Sequence, residues 1–263
     1  MRDFKDFSRV YRPAAQEIQK VARAVVQVLA EHNFNCCLFG STAAAIYGAE
    51  NRNPRDVDMI VLVPPASPAA ALITIEEVKQ LIADNSSSDF YLVDSRDPLA
   101  THKILYYILT PSHPDPSSPF HHACKVDLLL PGMIGIPKSI PVDALHYENY
   151  FPDVPLLPFG VLILLKVRAW SEHRLAVEEN RRGMKEKVKF DEADIEELLD
   201  LGINEYLVRM KSVESWATWE WVDDMKEYVR KYVEKFPESK PMWEEMGVSL
   251  KSEWSLPPRG WAH

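Results

Sequence analysis

Phe39-Gly40-Ser41-Thr42 ends one apolar run, Arg55-Asp56-Val57-Asp58 opens the next, and Lys125-Val126-Asp127 lies inside a third. Side chains on an extended strand alternate faces with period two, so Asp56 and Asp58 point to the same side. A third carboxylate from a neighbouring strand, Asp127, would complete a pocket for a divalent cation. Mg²⁺ is held in this way by a few carboxylate oxygens, with its other positions left to water and substrate phosphate.

Around these residues the chain reads as alternating strands and helices up to about residue 155. Ile18, Val21, Val25, Val28 and Leu29 recur at helical spacing within residues 13 to 31, behind Pro13. Residues 33 to 39 read as a strand ended by Gly40. Ser41 is expected to cap a short alanine-rich helix, Thr42 to Tyr47, that Gly48 closes. Asn51-Arg52-Asn53-Pro54 is a loop, residues 56 to 63 a strand covered on both faces, and residues 75 to 83 a helix. Residues 90 to 93, 103 to 109 and 124 to 130 read as further strands, the last of them buried, with a turn at Pro131-Gly132. Residues 64 to 68 and 110 to 119 carry enough proline to be loops. From Pro158 onward only helices are expected, over Val161 to Trp170, Glu192 to Leu201 and Trp216 to Phe236. The pattern predicts an α+β catalytic domain over residues 1–155 with a mixed sheet and flanking helices, then a helical C-terminal domain over 156–263.

Composition narrows the function. The 263 residues carry 30 basic and 39 acidic side chains, a formal charge of -9, which argues against coating long nucleic acid by bulk electrostatics. Cys36, Cys37 and Cys124 all sit in apolar runs and are expected to be free buried thiols of a reducing compartment. The charged start, Met1 to Asp6, lacks a secretory pattern, and no run reaches the roughly 20 apolar residues of a membrane helix. A soluble, cytoplasmic protein without membrane contact is therefore expected.

An aspartate set between Val126 and Leu128-Leu129-Leu130 is costly unless it is paired or binds a cation. Glycine at position 40 would let the backbone approach a phosphate, and free amides at the start of the following helix would attract an anion. Taken together, Leu38-Phe39-Gly40-Ser41-Thr42-Ala43-Ala44-Ala45, Arg52-Asn53-Pro54-Arg55-Asp56-Val57-Asp58 and Val126-Asp127-Leu128 resemble the nucleotidyltransferase superfamily of the polymerase β type, and within it the minimal and AbiEii-type members. The resemblance implies that Gly40 and Ser41 hold the triphosphate of an NTP. It implies that Asp56, Asp58 and Asp127 bind two Mg²⁺ (or Mn²⁺) ions, with Asp127 a candidate base for the acceptor hydroxyl. Leu164-Leu165-Lys166-Val167-Arg168-Ala169 and Lys189-Phe190-Asp191-Glu192-Ala193-Asp194-Ile195 are similar to the AbiEii-type helix lysine and the later Lys-Asp-x-x-Asp-Ile, with Phe190 interposed. Pro54 stands where many members carry threonine, so that hydroxyl contact is lost, and Arg52 is a phosphate-binding or a structural residue of that loop.

Lys166 shares a helical face with Leu162, Leu165 and Ala169, so its ammonium either leaves an apolar stripe for solvent or reaches a ligand such as a nucleotide phosphate. Asp191 and Asp194 read best as N-terminal helix caps. His121-His122-Ala123-Cys124 lacks a second ligand pair and reads as a loop end beside a buried thiol. Trp216, Trp219 and Trp221, with Tyr228 and Tyr232, read as packing between C-terminal helices rather than as a base-stacking surface, and residues 251 to 263 as a surface-hugging tail or a partner-binding segment. The expected activity is Mg²⁺-dependent transfer of a nucleoside monophosphate from an NTP such as ATP to an acceptor hydroxyl, with release of pyrophosphate. The acceptor would be a small molecule, a protein side chain or a tRNA-like RNA end. The alternative is a non-catalytic nucleotide-binding or interaction module on the same fold.

Overall fold

The computed structural model describes residues 11–62, 73–85, 89–95, 101–109 and 122–250. The proline-rich segments 64–68 and 110–119, His121, the N-terminal residues 1 to 6 and the tail 251 to 263 lie outside the described residues. Among the described residues seven strands, β1 (Asn35–Phe39), β2 (Asp56–Leu62), β3 (Phe90–Asp94), β4 (Lys103–Leu109), β5 (His122–Leu129), β6 (His146–Glu148) and β7 (Phe151–Leu156), form one sheet. Their order is β3-β4-β5-β2-β1-β7-β6. The β2–β5 and β1–β7 pairings are parallel and the others antiparallel, so the sheet is mixed and the class is α+β.

Among the described residues eight α-helices flank and follow the sheet: α1 (Ala15–Glu31), α2 (Gly40–Ile46), α3 (Ile75–Asp84), α4 (Phe159–Glu178), α5 (Met184–Asn204), α6 (Met210–Glu214), α7 (Trp219–Lys235) and α8 (Lys240–Glu245). In α1 the apolar stripe predicted from spacing is the buried face, Ile18, Val21, Ala22, Val25, Val28 and Leu29. Each fully buried aliphatic side chain of that kind contributes about 1.5–3 kcal/mol, which is what fixes the helix against its neighbours. Glu17 accepts the Ala14 amide and the Tyr11 hydroxyl, supplying the N-terminal closure that an alanine in the cap position cannot.

Several expectations change. The helix after β1 begins at Gly40 itself, with Phe39 in the cap position and no side-chain cap, so Ser41 sits in the first turn rather than before it. The cause is Gly40, whose φ of 69° turns the chain at once from strand to helix. β5 is not buried on both faces: Cys124, Val126 and Leu128 point inward, while Lys125 and Asp127 lie half-exposed on the other side. Helix α5 starts eight residues before the predicted Glu192, which places Asp191 and Asp194 in its interior and not at its N-terminus. The strands β6 and β7 were not expected. β7 contains Pro152 and Pro155, and its pairing with β1 reaches only Leu38 and Leu156, so the missing amide donors cost little.

The buried side chains form one cluster that runs from α1 through the strands into α4, α5 and α7. Tyr232 and Trp170 meet edge-on at 4.9 Å within it, and Trp216 and Trp221 pack against it, as expected for that region. Trp219 does not: it is 73% exposed. Among the described residues no helix is long and apolar enough to cross a membrane.

Candidate metal and nucleotide site

The parallel register of β2 on β5 sets Asp58 directly beside Asp127, and the antiparallel register of β1 on β2 sets Phe39 beside Asp58. Asp56 follows on the same face of β2, two residues back. Carboxylate oxygens of Asp56, Asp58 and Asp127 consequently lie within 4.8 Å of one another, a spacing that one or two divalent cations would bridge. The turn into α2 is pressed against this group. A Cβ at Gly40 would lie 2.1 Å from Asp58 Oδ2, so only glycine fits both the space and the positive φ. The Thr42 hydroxyl donates to the Asp56 carbonyl at 2.7 Å and ties α2 to the start of β2.

Three carboxylates so close repel one another when ionised. Burial, Asp56 and Asp127 push the Asp58 carboxyl up to about 7, against the pull of Lys166 and Lys125. Asp56 is also raised, by burial and then by Asp127, with Lys125, Arg52 and Arg55 opposing. Burial alone would lower the Lys125 ammonium, but its hydrogen bond and ion pair with Asp127 and the charges of Asp56 and Asp58 raise it. An acceptor-only cluster that holds protons against its ordinary range is one that a divalent cation would relieve, so the residues present fit the metal that the fold implies.

Next to the carboxylates a cleft of about 470 Å³ opens between the sheet end and helices α4 and α5. Gly40, Ser41, Arg52, Asp56, Asp58 and Lys166 line its inner part; Asp127 stands outside that lining. Lys166 does not reach solvent. It is buried, and its ammonium bonds Asp194 Oδ2 at 2.5 Å while facing Asp58. Asp194 also accepts from Arg52 Nη2 and Asn51 Nδ2, each at 2.8 Å. Burial would raise Asp194, yet the Lys166 charge and these donors hold it below the usual carboxylate range. Far from capping a helix, Asp194 anchors two cations from different elements at the cleft. Glu197, one turn on, accepts the Glu50 and Asn51 amides at 2.5 and 3.0 Å and fixes the same loop.

Asp191 has a different partner. It is buried on α5 and accepts from His173 Nδ1 at 2.6 Å, and both residues line the cleft. Burial keeps its carboxyl raised despite His173 and Lys166. His173 was not singled out from sequence, although its position seven residues after Lys166 puts it on the same stripe of α4 as Lys166. Ile134, in the turn after β5, also lines the cleft. It is 61% exposed and held at φ 39°, ψ 38°, a conformation that a β-branched residue adopts only when its surroundings dictate it. The next residue, Gly135, is pinned from both sides: its carbonyl accepts from Trp221 Nε1 at 2.6 Å, and a Cβ there would lie 1.5 Å from Arg168 Nη1. His122, by contrast, stacks on Tyr11 at 3.9 Å beside the buried Cys124 and joins no metal cluster among the described residues.

No family model matches the chain, and no curated protein does. Among solved structures it is similar to the crystal structure of an antigenic nucleotidyltransferase-like protein from Paracoccidioides brasiliensis, with a TM-score of 0.61 over 92% of this chain and 97% of that one. The two sequences are 16% identical, so the likeness establishes a shared nucleotidyltransferase-like fold, on which this chain carries an acidic triad able to hold a metal ion.

Proposed function

We propose that the protein is a Mg²⁺-dependent nucleotidyltransferase, moving a nucleoside monophosphate from an NTP to an acceptor hydroxyl. The observation that carries this reading is the convergence of Asp56, Asp58 and Asp127 beside Gly40, at the ionic end of a cleft that also presents Lys166 and Arg52. The three carboxylates would hold Mg²⁺ or Mn²⁺, which would supply charge neutralisation of the phosphates and a lowered pKa for the acceptor.

The chain's own residues supply the rest. Gly40 lets the Asp58 carboxylate sit against the backbone of the turn, and the Ser41 hydroxyl beside it is available to phosphate oxygens. Lys166 and Arg52, fixed by their shared carboxylate Asp194, present positive charge to the triphosphate with little reorganisation. Asp127 is half-exposed beside the cleft, and its carboxylate would take the acceptor proton. The acceptor oxygen then bonds to the α-phosphorus as the bond to the β-phosphate oxygen breaks, and pyrophosphate leaves. With a formal charge of -9, the protein suits a small alcohol, a protein hydroxyl or the end of an RNA rather than long nucleic acid.

The test is metal-dependent pyrophosphate release from each NTP across a panel of small alcohols, tRNA and the protein itself. An Asp56→Ala, Asp58→Ala double variant is expected to lose about 10²–10³-fold or more, equivalent to several kcal/mol of transition-state stabilisation. Equal release by the variant and the native protein would sink the proposal.

A further inference from the structure

The cleft beside the carboxylates has two chemically different ends. Its inner end is ionic: two aspartates, a lysine and an arginine meet there. Its outer end joins Ala169 of α4, Phe190 of α5 and the strained Ile134 to the oriented imidazole of His173 and to the charged side chains of Glu172, Lys187 and Asp191. Arg168 on the same wall is already met by Glu172 at 2.7 Å. An aromatic face beside an oriented imidazole is what a heteroaromatic ring requires, its π-face for stacking and its edge for one directional hydrogen bond.

The spacing agrees. Lys166 faces Asp58, and His173 follows it by seven residues on the same stripe, so the two side chains start about 10.5 Å apart along the helix axis. That is comparable with the reach of a nucleotide from its 5′-phosphate to the far edge of its base. Phe190 is 36% exposed to the cleft, and the Arg52 guanidinium sits 5.6 Å from its ring centroid, so one residue joins the aromatic wall to the ionic end. Asp191, only 6% exposed, accepts the Nδ1 proton of His173 at 2.6 Å. Nε2 makes no hydrogen bond among the described residues and is left as the acceptor of the neutral ring.

From this geometry we propose that the outer half of the cleft is a nucleobase pocket, in which the base stacks on Phe190 and its edge donates a hydrogen bond to His173 Nε2, with purines favoured. The assignment rests on the nucleotidyltransferase reading and names the donor that it would select. Purines are favoured because their larger π-face gains more from stacking and because the imidazole lies at the far end of the slot. Asp191 acts as a positioning residue: it fixes the tautomer and the plane of the imidazole and touches no substrate.

The experiment is calorimetric binding to the full-length protein with Mg²⁺, using non-hydrolysable analogues of ATP, GTP, CTP and UTP, and inorganic tripolyphosphate as a probe that has no base. The native protein is expected to bind the purine analogues about tenfold or more tighter than the pyrimidine ones. His173→Ala and Phe190→Ala should each erase most of that preference while tripolyphosphate affinity stays unchanged, which also reports that the variants are folded. His173→Gln, whose amide oxygen can still accept, should recover part of it. Asp191→Asn should lower purine selectivity without altering tripolyphosphate binding. Equal affinity for all four analogues alongside tripolyphosphate binding would overturn the base pocket and leave the nucleotidyltransferase reading standing. A matching loss of tripolyphosphate binding in His173→Ala would also overturn it, by moving His173 to the phosphate end. Absence of binding by every nucleotide and by tripolyphosphate would overturn both.

Discussion

At Gly40 a single missing side chain holds the metal group in place. Alanine there would have to adopt a left-handed conformation, costing about 1–2 kcal/mol, and would push Asp58 aside because its Cβ falls 2.1 Å from the carboxylate. Gly40→Ala is therefore expected to lower the melting temperature by several degrees and to weaken the stabilisation given by Mg²⁺ at least about tenfold in concentration, read by thermal melts over a metal titration. Asp58 allows a prediction with the opposite sign. In the folded, metal-free protein it keeps its proton up to about pH 7, whereas in an unfolded chain it loses it near 4. Its contribution to stability is full below about pH 4 and is lost as pH rises through 7, where the ionised trio opposes folding. Asp58→Asn should thus raise the metal-free melting temperature at pH 8, by about 2–4 °C for each kcal/mol relieved, with the gain shrinking towards pH 4 and the response to Mg²⁺ abolished. Lower stability of this variant at pH 8 would contradict the repulsion described. These carboxylates were legible in the sequence because period-two spacing and apolar flanks are local signals. His173 was not, because its meaning comes from Asp191, a residue on another helix.

On the scale of elements, α4 and α5 are joined through charge as well as packing. Lys166 and Asp194 are 8% and 3% exposed, and neither has water as an alternative partner. Removing one partner strands the other: Asp194→Ala is expected to destabilise the protein by about 3–5 kcal/mol, measured by denaturant unfolding. Replacing both, as Lys166→Met with Asp194→Leu, should recover most of that stability while nucleotide binding stays lost, which separates the role of the pair in folding from its role at the cleft. The helices themselves were readable from their apolar residues, which recur at helical spacing in α1 and α7 and form one long run at the start of α4. The start of α5 was hidden, because four of the seven residues 184 to 190 are charged and Met184, Val188 and Phe190 are too few to set a clear apolar stripe. Its aspartates were then misread as caps, since aspartate next to an apparent helix start usually is one. β7 was hidden by its prolines, which seldom lie in a strand that has neighbours on both sides.

For the whole molecule, one continuous core makes unfolding a shared event for sheet and helices, and the cysteines report on it. Cys36, Cys37 and Cys124 are buried free thiols, and burial pushes Cys36 and Cys124 up to about 12. None should react with a thiol reagent at pH 8 in the native protein, and all three should react in denaturant; rapid labelling of any of them in the native state would refute the packing around β1 and β5. The mixed α+β class followed from the order of apolar runs, whereas the cleft depended on which helix faces meet the sheet end, and single-chain periodicity does not encode that. The junction between sheet and helices carries a last consequence. Only Leu157 and Pro158 separate β7 from α4, and Leu157 is fixed at both backbone groups: its amide donates to Leu38 at 2.9 Å and its carbonyl accepts from the Tyr47 hydroxyl at 2.8 Å. There is no hinge at this joint. In the nucleotidyltransferase proposed above, a joint this short and doubly tied would leave substrate exchange to the opening of the cleft, with turnover timed by diffusion, chemistry and product escape rather than by a closing jaw.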